Sequence, residues 1–191
     1  MTGSDERGRC IIRKAGDADL PGLVDLYRAF VEETVSTTPN VEVNPRLKVE
    51  RAVLRLLRSK SSVMLVAQVD EKVVGFAFAE FRPGTKKRGW LSGVTGFLTG
   101  RNALTPVLRD PCAWLAHLYV APGFRRRGVA TGLVRAAADW GRSQGAKTLE
   151  LNVLASNEGA SRLYERAGLT SLLVQYRKAL DDPSGQTVVG K

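Results

Sequence analysis

The stretch W-L-A-H-L-Y-V-A-P-G-F-R-R-R-G-V-A occupies residues 114–130 of the 191-residue chain. Its apolar and aromatic first half predicts a strand over 113–120, and the Pro-Gly pair with three arginines predicts a basic turn. A helix is predicted from Gly128 to Ser143, with Gly145 as the residue that ends it. Because the first amides of a helix have no partner inside it, the N-terminus of this helix, called the helix mouth below, is suited to an anion such as pyrophosphate.

Strands and helices alternate through most of the remaining chain. Further strands are predicted at 10–13, 62–68, 72–81, 148–154 and 169–176, and further helices at 20–35, 45–59 and 158–167. Asp70 and Glu71 form a tight hairpin turn between two of the strands, and Asn157 and Gly168 bound the last helix. This order of elements predicts an α/β fold with a mixed sheet.

Three segments lack such a pattern. Residues 83–110 form a glycine-rich insertion, and an irregular segment of this length is often a lid or a binding loop. Residues 1–9 are expected to be a flexible N-terminus, and residues 181–191 a polar C-terminal tail.

The charge of the chain is unusual. Lys and Arg number 29 against 19 Asp and Glu, a net charge of +10 that attracts phosphates of nucleic acid, a membrane surface or a cofactor. No apolar run reaches the roughly 20 residues of a membrane span, and the polar first residues predict no secretory signal. With only Cys10 and Cys112, a cysteine zinc site is excluded and no metal is expected; free thiols predict a cytoplasmic protein.

The basic residues divide into groups with different interpretations. Lys48, Arg51, Arg55 and Arg58 are spaced as one stripe of a helix, which is most often a solvated face. The sequence contains no helix-turn-helix, zinc finger or aromatic-rich strand motif, which argues against nucleic acid as the partner.

Two motifs resemble signatures of one family. The R-x-x-G-x-A stretch at 125–130, after a strand ending in Leu118-Tyr119-Val120, resembles the acyl-CoA-binding motif of the GNAT superfamily of N-acyltransferases. Residues 157–169, N-E-G-A-S-R-L-Y-E-R-A-G-L, resemble the second signature of that family. The resemblance is specific over 114–169, loose over 11–82, and does not cover 83–110.

The resemblance implies one N-acetyltransferase domain over residues 10–180, whose mixed, mostly antiparallel sheet has about six to seven strands flanked by about four helices. It also implies acetyl-CoA as cosubstrate, with the pyrophosphate at the turn 125–131. The cofactor-binding residues it implies are Leu118, Tyr119, Val120, Arg125, Arg126, Arg127, Gly128, Val129, Ala130, Thr131 and Asn157.

The strand before the turn carries further implied roles. Strict alternation would place His117 and Tyr119 on one face and Ala116, Leu118 and Val120 on the other. The family usually has a bulge in this strand, which would upset that alternation. The bulge would present the amide of Val120 to the thioester carbonyl as an oxyanion donor and would let the pantetheine pair with the strand edge.

Three side chains are candidates for proton transfer. By resemblance, the Tyr164 hydroxyl protonates the CoA thiolate, although an apolar stripe of its helix could also hold it as a core residue. His117, the only histidine, suits a general base, unless it serves packing alone. Glu80, on the neighbouring predicted strand, could act as the base instead, alone or through water.

The resemblance implies an acceptor that is an amine on a small molecule or a peptide. The basic insertion argues mildly against polycations and leaves amino acids, peptide N-termini and modest amines open, while Glu32, Glu33 and Glu42 could hold a single amine. A protein lysine or N-terminal acetyltransferase, a basic nucleic-acid-binding module and a non-catalytic acyl-CoA sensor are the alternatives. Homodimerisation is left open.

Overall fold

The computed structural model describes residues 9–38, 42, 46–84 and 110–172, within two compact units, Met1–Leu151 and Asn152–Lys191. Five strands and four α-helices lie in the described residues. The strands are β1 (Ile11–Lys14), β2 (Ser62–Val69), β3 (Lys72–Arg82), β4 (Cys112–Val120) and β5 (Thr148–Glu150). The helices are α1 (Leu20–Thr37), α2 (Val49–Leu57) and α3 (Val129–Ser143) in the first unit and α4 (Glu158–Arg166) in the second.

The strands form one sheet in the order β1-β2-β3-β4-β5. The first three pairings are antiparallel, and β4 and β5 are parallel, so the prediction of a mixed, mostly antiparallel sheet is confirmed. The hairpin turn is also confirmed: Asp70 and Glu71 have φ of 47° and 64°. Two successive left-handed residues give the two-residue turn that matches strand twist.

The number of strands was predicted wrongly, because the described residues contain five rather than six to seven. The strand expected over 148–154 ends at Glu150. At the start of the strand expected over 169–176, the amide of Leu169 donates to Tyr164 O (3.0 Å) and so closes α4. Residues 169–172 are not a strand, and 173–176 lie outside the described residues, as do the tail 181–191 and most of the insertion.

The core of the first unit lies on both faces of the sheet. On one face, α1 and α2 cover a cluster that contains Leu23, Val24, Val53, Met64, Val66, Phe76, Phe78 and Tyr119. On the other face, α3 buries Leu133, Val134 and Ala137. Gly141 lets this helix approach closely, because a Cβ added there would lie 2.5 Å from the Cβ of Ala113.

Glycines end two of the helices as predicted. Gly145, after α3, has φ of 85°, and Gly168, after α4, has φ of 86°. After Gly145, the amide of Ala146 donates to Gly141 O at 2.9 Å. After Gly168, the amide of Leu169 makes the corresponding bond to Tyr164 O. Both ends are Schellman motifs, in which a left-handed glycine lets the chain turn back on the last carbonyls.

Candidate active site

Strand β4 contains a bulge at Ala116. Phe78 pairs with His117 and the next residue, Ala79, pairs with Leu115, so Ala116 has no partner on β3. The expectation that His117 and Tyr119 share a face holds, since both contact rings of the α1 face. Strict alternation would place Ala116 on the opposite face, but the implied bulge breaks the alternation and Ala116 packs against the same cluster.

The edge of β4 beyond this bulge is open toward β5. The two strands pair only at Cys112, Ala113 and Trp114, and the described residues supply no further ladder partner to 115–120 on that side. The amide of Ala121 donates to Val74 O on β3 (2.9 Å). Because successive amides of a strand point to opposite sides, the amide of Val120 points to the open edge.

His117 lies in a box of aromatic rings. Its ring centroid is 5.5 Å from that of Tyr27, 5.3 Å from Phe30 and 5.7 Å from Phe78. Its Nδ1 atom is buried and has no hydrogen-bond partner within the part of the chain that the structure describes. Burial lowers the pKa of His117, and the charge of Glu80 opposes this only in part. A neutral imidazole keeps a lone pair that can accept a proton.

Glu80 lies beside this box at the level of Trp114, its partner across the β3–β4 ladder. Its carboxylate is 3.7 Å from the guanidinium of Arg82, which in turn lies 4.0 Å from the centre of the Trp114 ring. About two fifths of both charged side chains is exposed, so the pair is solvated. The two candidate bases, His117 and Glu80, thus lie on the paired strands β4 and β3, and the charge of Glu80 acts on His117.

The mouth of α3 is open. Gly128 is its N-cap residue, with φ of 79° and no side-chain cap, and the first intrahelical bond is that of Gly132 N to Gly128 O (2.9 Å). The three amides before that bond, of Val129, Ala130 and Thr131, have no partner inside the helix. A Cβ added at Gly128 would meet no atom within 4 Å. An anion can therefore approach these amides closely.

The three arginines before this mouth differ in their surroundings. Arg125 donates from Nε to Val120 O (2.8 Å) and from a terminal nitrogen to Glu33 Oε2 (2.6 Å). Arg126 and Arg127 are exposed, and no carboxylate of the described residues pairs with either. The ion pair of Arg125 and Glu33 was missed in the sequence, because no local pattern connects residues 92 positions apart.

The second unit carries the two remaining candidates. The Oδ1 of Asn157 accepts a hydrogen bond from the amide of Ala160 (3.1 Å), so the predicted cap of α4 is confirmed. Tyr164 is half-buried on this helix. Burial raises the pKa of its hydroxyl, which therefore keeps its proton at neutral pH.

The described ranges also bear on other classes of protein. Their helices include none with the length and apolarity of a membrane span. Within the same ranges, no cluster of His, Cys, Asp and Glu could hold a metal ion. The stripe of Lys48, Arg51, Arg55 and Arg58 is exposed, with Arg58 3.8 Å from Asp17.

Comparison with known proteins gives one family. Residues 23–169 match the profile of the acetyltransferase (GNAT) family. The chain is 24% identical over 125 residues to an aminoglycoside N(6')-acetyltransferase type 1 of Salmonella typhimurium, covering 64% of this chain and 74% of that protein. It is 26% identical over 113 residues to an uncharacterised N-acetyltransferase of Methanocaldococcus jannaschii, covering 59% of this chain and 41% of the archaeal one.

The fold is shared with solved structures. One is an aminoglycoside N-acetyltransferase in complex with CoA, with a TM-score of 0.65 and 20% identity. That similarity covers 92% of this chain and 98% of the other.

Proposed function

The chain belongs to the acetyltransferase (GNAT) family, and we propose that it transfers the acetyl group of acetyl-CoA to an amine that attacks the thioester directly. The observation that carries this proposal is the continuity of β4 with α3. A bulged strand with an open edge leads, within nine residues of Val120, to a helix mouth with free amides. One segment thus provides donors for a thioester carbonyl and for a pyrophosphate.

The turn 125–131 fits the pyrophosphate of acetyl-CoA. The left-handed backbone at Gly128 and the open space beside it allow a phosphate to reach the amides of Val129, Ala130 and Thr131. Arg126 and Arg127 add positive charge there that pairs with no carboxylate of the described residues. Acetyl-CoA supplies the activated acetyl group, and the edge of β4 at 115–120, including Leu118 and Tyr119, is where its pantetheine would pair.

The amide of Val120 is the proposed oxyanion donor. It points to the open edge, since the next amide is used by β3. A fixed amide that faces developing negative charge needs no reorganisation during the reaction. Its contribution is expected to be of the order of 3 kcal/mol, as for other single donors of this kind.

His117 is the proposed general base, since an ammonium must lose a proton before it can attack. Its lowered pKa keeps the imidazole in the neutral, base form near neutral pH, and its buried Nδ1 has no hydrogen-bond partner among the described residues. Glu80 is the alternative base, acting alone or through water, and its carboxylate lies 3.7 Å from the Arg82 guanidinium. A pH profile of each substituted enzyme separates the two.

Tyr164 is the proposed general acid for the CoA thiolate, and Asn157 is a proposed cofactor contact. The proposal for Tyr164 is supported by its position in the L-Y-E-R-A-G segment and by a hydroxyl that keeps its proton at neutral pH. Asn157 opens the same helix as its cap.

The proposed acceptor carries a single amine, and an aminoglycoside, which carries several, is tested beside it because relatives carry that name. Within the described first unit, Glu33 and Glu80 are both paired with arginines. A polycation would have to compete with these arginines, so a monoamine or a peptide N-terminus is the favoured class.

Two measurements test the function. Thermal melts should show stabilisation by acetyl-CoA and none by duplex DNA, at low as well as at high salt. The low-salt measurement is included because DNA binding would weaken steeply as the salt concentration rises. A panel of an aminoglycoside, spermidine, amino acids and free-amine peptides is then assayed for release of CoA thiol. DNA stabilisation without acetyl-CoA stabilisation would support a nucleic-acid module; acetyl-CoA binding without any turnover would support a sensor.

A further inference from the structure

The Arg125 side chain connects the turn after β4 with helix α1. Its guanidinium binds Glu33 at 2.6 Å and the carbonyl of Val120 at 2.8 Å, and it lies 5.4 Å from the centre of the Tyr119 ring. These three contacts involve a helix, a strand end and an aromatic side chain. An arginine held by two hydrogen bonds in this way has a fixed orientation.

The backbone of the turn separates Arg125 from the arginines that follow. Arg125 is extended, with φ of −69° and ψ of 160°, whereas Arg126 is left-handed, with φ of 62°. Arg126 and Arg127 remain exposed, and Arg127 lies over the Phe124 ring at 5.4 Å. The charge of Arg125 is thus neutralised by a carboxylate, while the charges of its two neighbours remain available to an anion.

Helix α1 forms one wall of the box around His117. Tyr27 and Phe30 contact the imidazole, and Glu33 follows Phe30 by three residues, so it lies on the same side of the helix. The bond between Glu33 and Arg125 therefore holds α1, the wall that faces His117, against the turn after β4. Its other bond fixes Val120, whose amide is the proposed oxyanion donor.

Resting on the proposed acetyl transfer, we propose that Arg125 is a positioning residue. It aligns helix α1, which flanks the proposed base His117, with the Val120 amide that faces the thioester carbonyl, and its side chain does not bind the cofactor phosphates. Loss of this side chain would let α1 and the end of β4 shift relative to each other. Small displacements of reacting groups cost large factors in rate, whereas the amides that bind pyrophosphate stay in place.

The test compares Arg125→Gln with Arg127→Gln, a matched loss of one charge two residues away. Acetyl-CoA affinity is measured by calorimetry, and kcat and KM are measured with the best amine of the panel described above. Arg125→Gln should lower kcat/KM for the amine by about tenfold or more and keep acetyl-CoA affinity within about twofold. Arg127→Gln should weaken acetyl-CoA about threefold or more and leave the KM for the amine unchanged.

The partner residue provides a second test. Glu33→Gln should lower kcat/KM in the same direction as Arg125→Gln, and the double variant should be no worse than Arg125→Gln alone, since both changes remove the Arg125–Glu33 ion pair. Arg125→Lys should recover part of the rate, because a lysine can pair with Glu33 but not bind Val120 O as well. Hydrogen exchange of α1 should rise in Arg125→Gln and stay unchanged in Arg127→Gln.

A different pattern would overturn the proposal. If Arg125→Gln weakens acetyl-CoA as strongly as Arg127→Gln and leaves the amine kinetics and α1 exchange unchanged, Arg125 is a phosphate ligand. If the unaltered protein acetylates no amine, the proposed function fails. In that case the exchange of α1 and the acetyl-CoA affinities still decide whether Arg125 holds the helix.

Discussion

Replacing Gly128 by alanine perturbs the proposed pyrophosphate site with a well-defined stability cost. An L-residue at φ of 79° is strained by about 1–2 kcal/mol, and the added Cβ meets no protein atom within 4 Å. For a chain of this size, the melting temperature should fall by about 2–8 °C. The methyl group would occupy the approach to the free amides, and loss of one charge-assisted hydrogen bond, about 1.5–3 kcal/mol, weakens acetyl-CoA by about tenfold or more.

Gly145 provides the matched control at the other end of the same helix. It has φ of 85°, and a Cβ added there also meets nothing within 4 Å. Gly145→Ala should therefore lower the melting temperature about as much as Gly128→Ala and leave acetyl-CoA affinity unchanged. Calorimetric titration with acetyl-CoA, together with thermal melts without ligand, measures both quantities. Equal acetyl-CoA affinities in the two variants would show that Gly128 does not border the pyrophosphate site.

Three further predictions concern stability, pH and catalysis. Gly141→Ala should destabilise the protein by about 1–3 kcal/mol in denaturant melts, since its Cβ would meet Ala113. Gly159→Ala is the control and should be neutral or stabilising, because its Cβ would make only a 3.9 Å contact. Destabilisation by both substitutions would contradict this prediction. The folded state keeps His117 neutral because its pKa is lowered, so unfolding free energy should fall as pH drops below about 6.5. His117→Phe should flatten this dependence in melts at several pH values; an unchanged slope would show that other groups cause it. Tyr164→Phe should lower kcat severalfold and keep acetyl-CoA affinity within about twofold; an unchanged kcat would remove the acid role.

Much of the fold follows from local signals in the chain. The hairpin at Asp70-Glu71, the cap at Asn157 and the closing glycines Gly145 and Gly168 were predicted, and the structure has them where left-handed or capping residues are required. The predicted helix ends were off by a few residues: α1 continues to Thr37, whose hydroxyl donates to Glu33 O at 2.8 Å. Helix ends depend on such single bonds, which spacing does not reveal.

The site was predicted less completely, because its important contacts are long-range. The residues of β4 and of the turn could be named from the resemblance, and the bulge that it implied lies at Ala116. The aromatic box around His117 and the pairing of Arg125 with Glu33 were not predicted. Both depend on how α1 packs on the sheet, and no sequence spacing indicates which side chains meet there.

Detection of the acetylated amine is the most direct test of the proposed acetyl transfer. The protein is incubated with acetyl-CoA and the amine panel, and mass spectrometry identifies the product and the nitrogen that carries the acetyl group. We expect at least one amine to gain a single acetyl group together with an equal amount of free CoA, and we expect less of both products with Gly128→Ala than with Gly145→Ala. Binding of acetyl-CoA with no acetylated amine and no CoA release would contradict the proposed acetyl transfer.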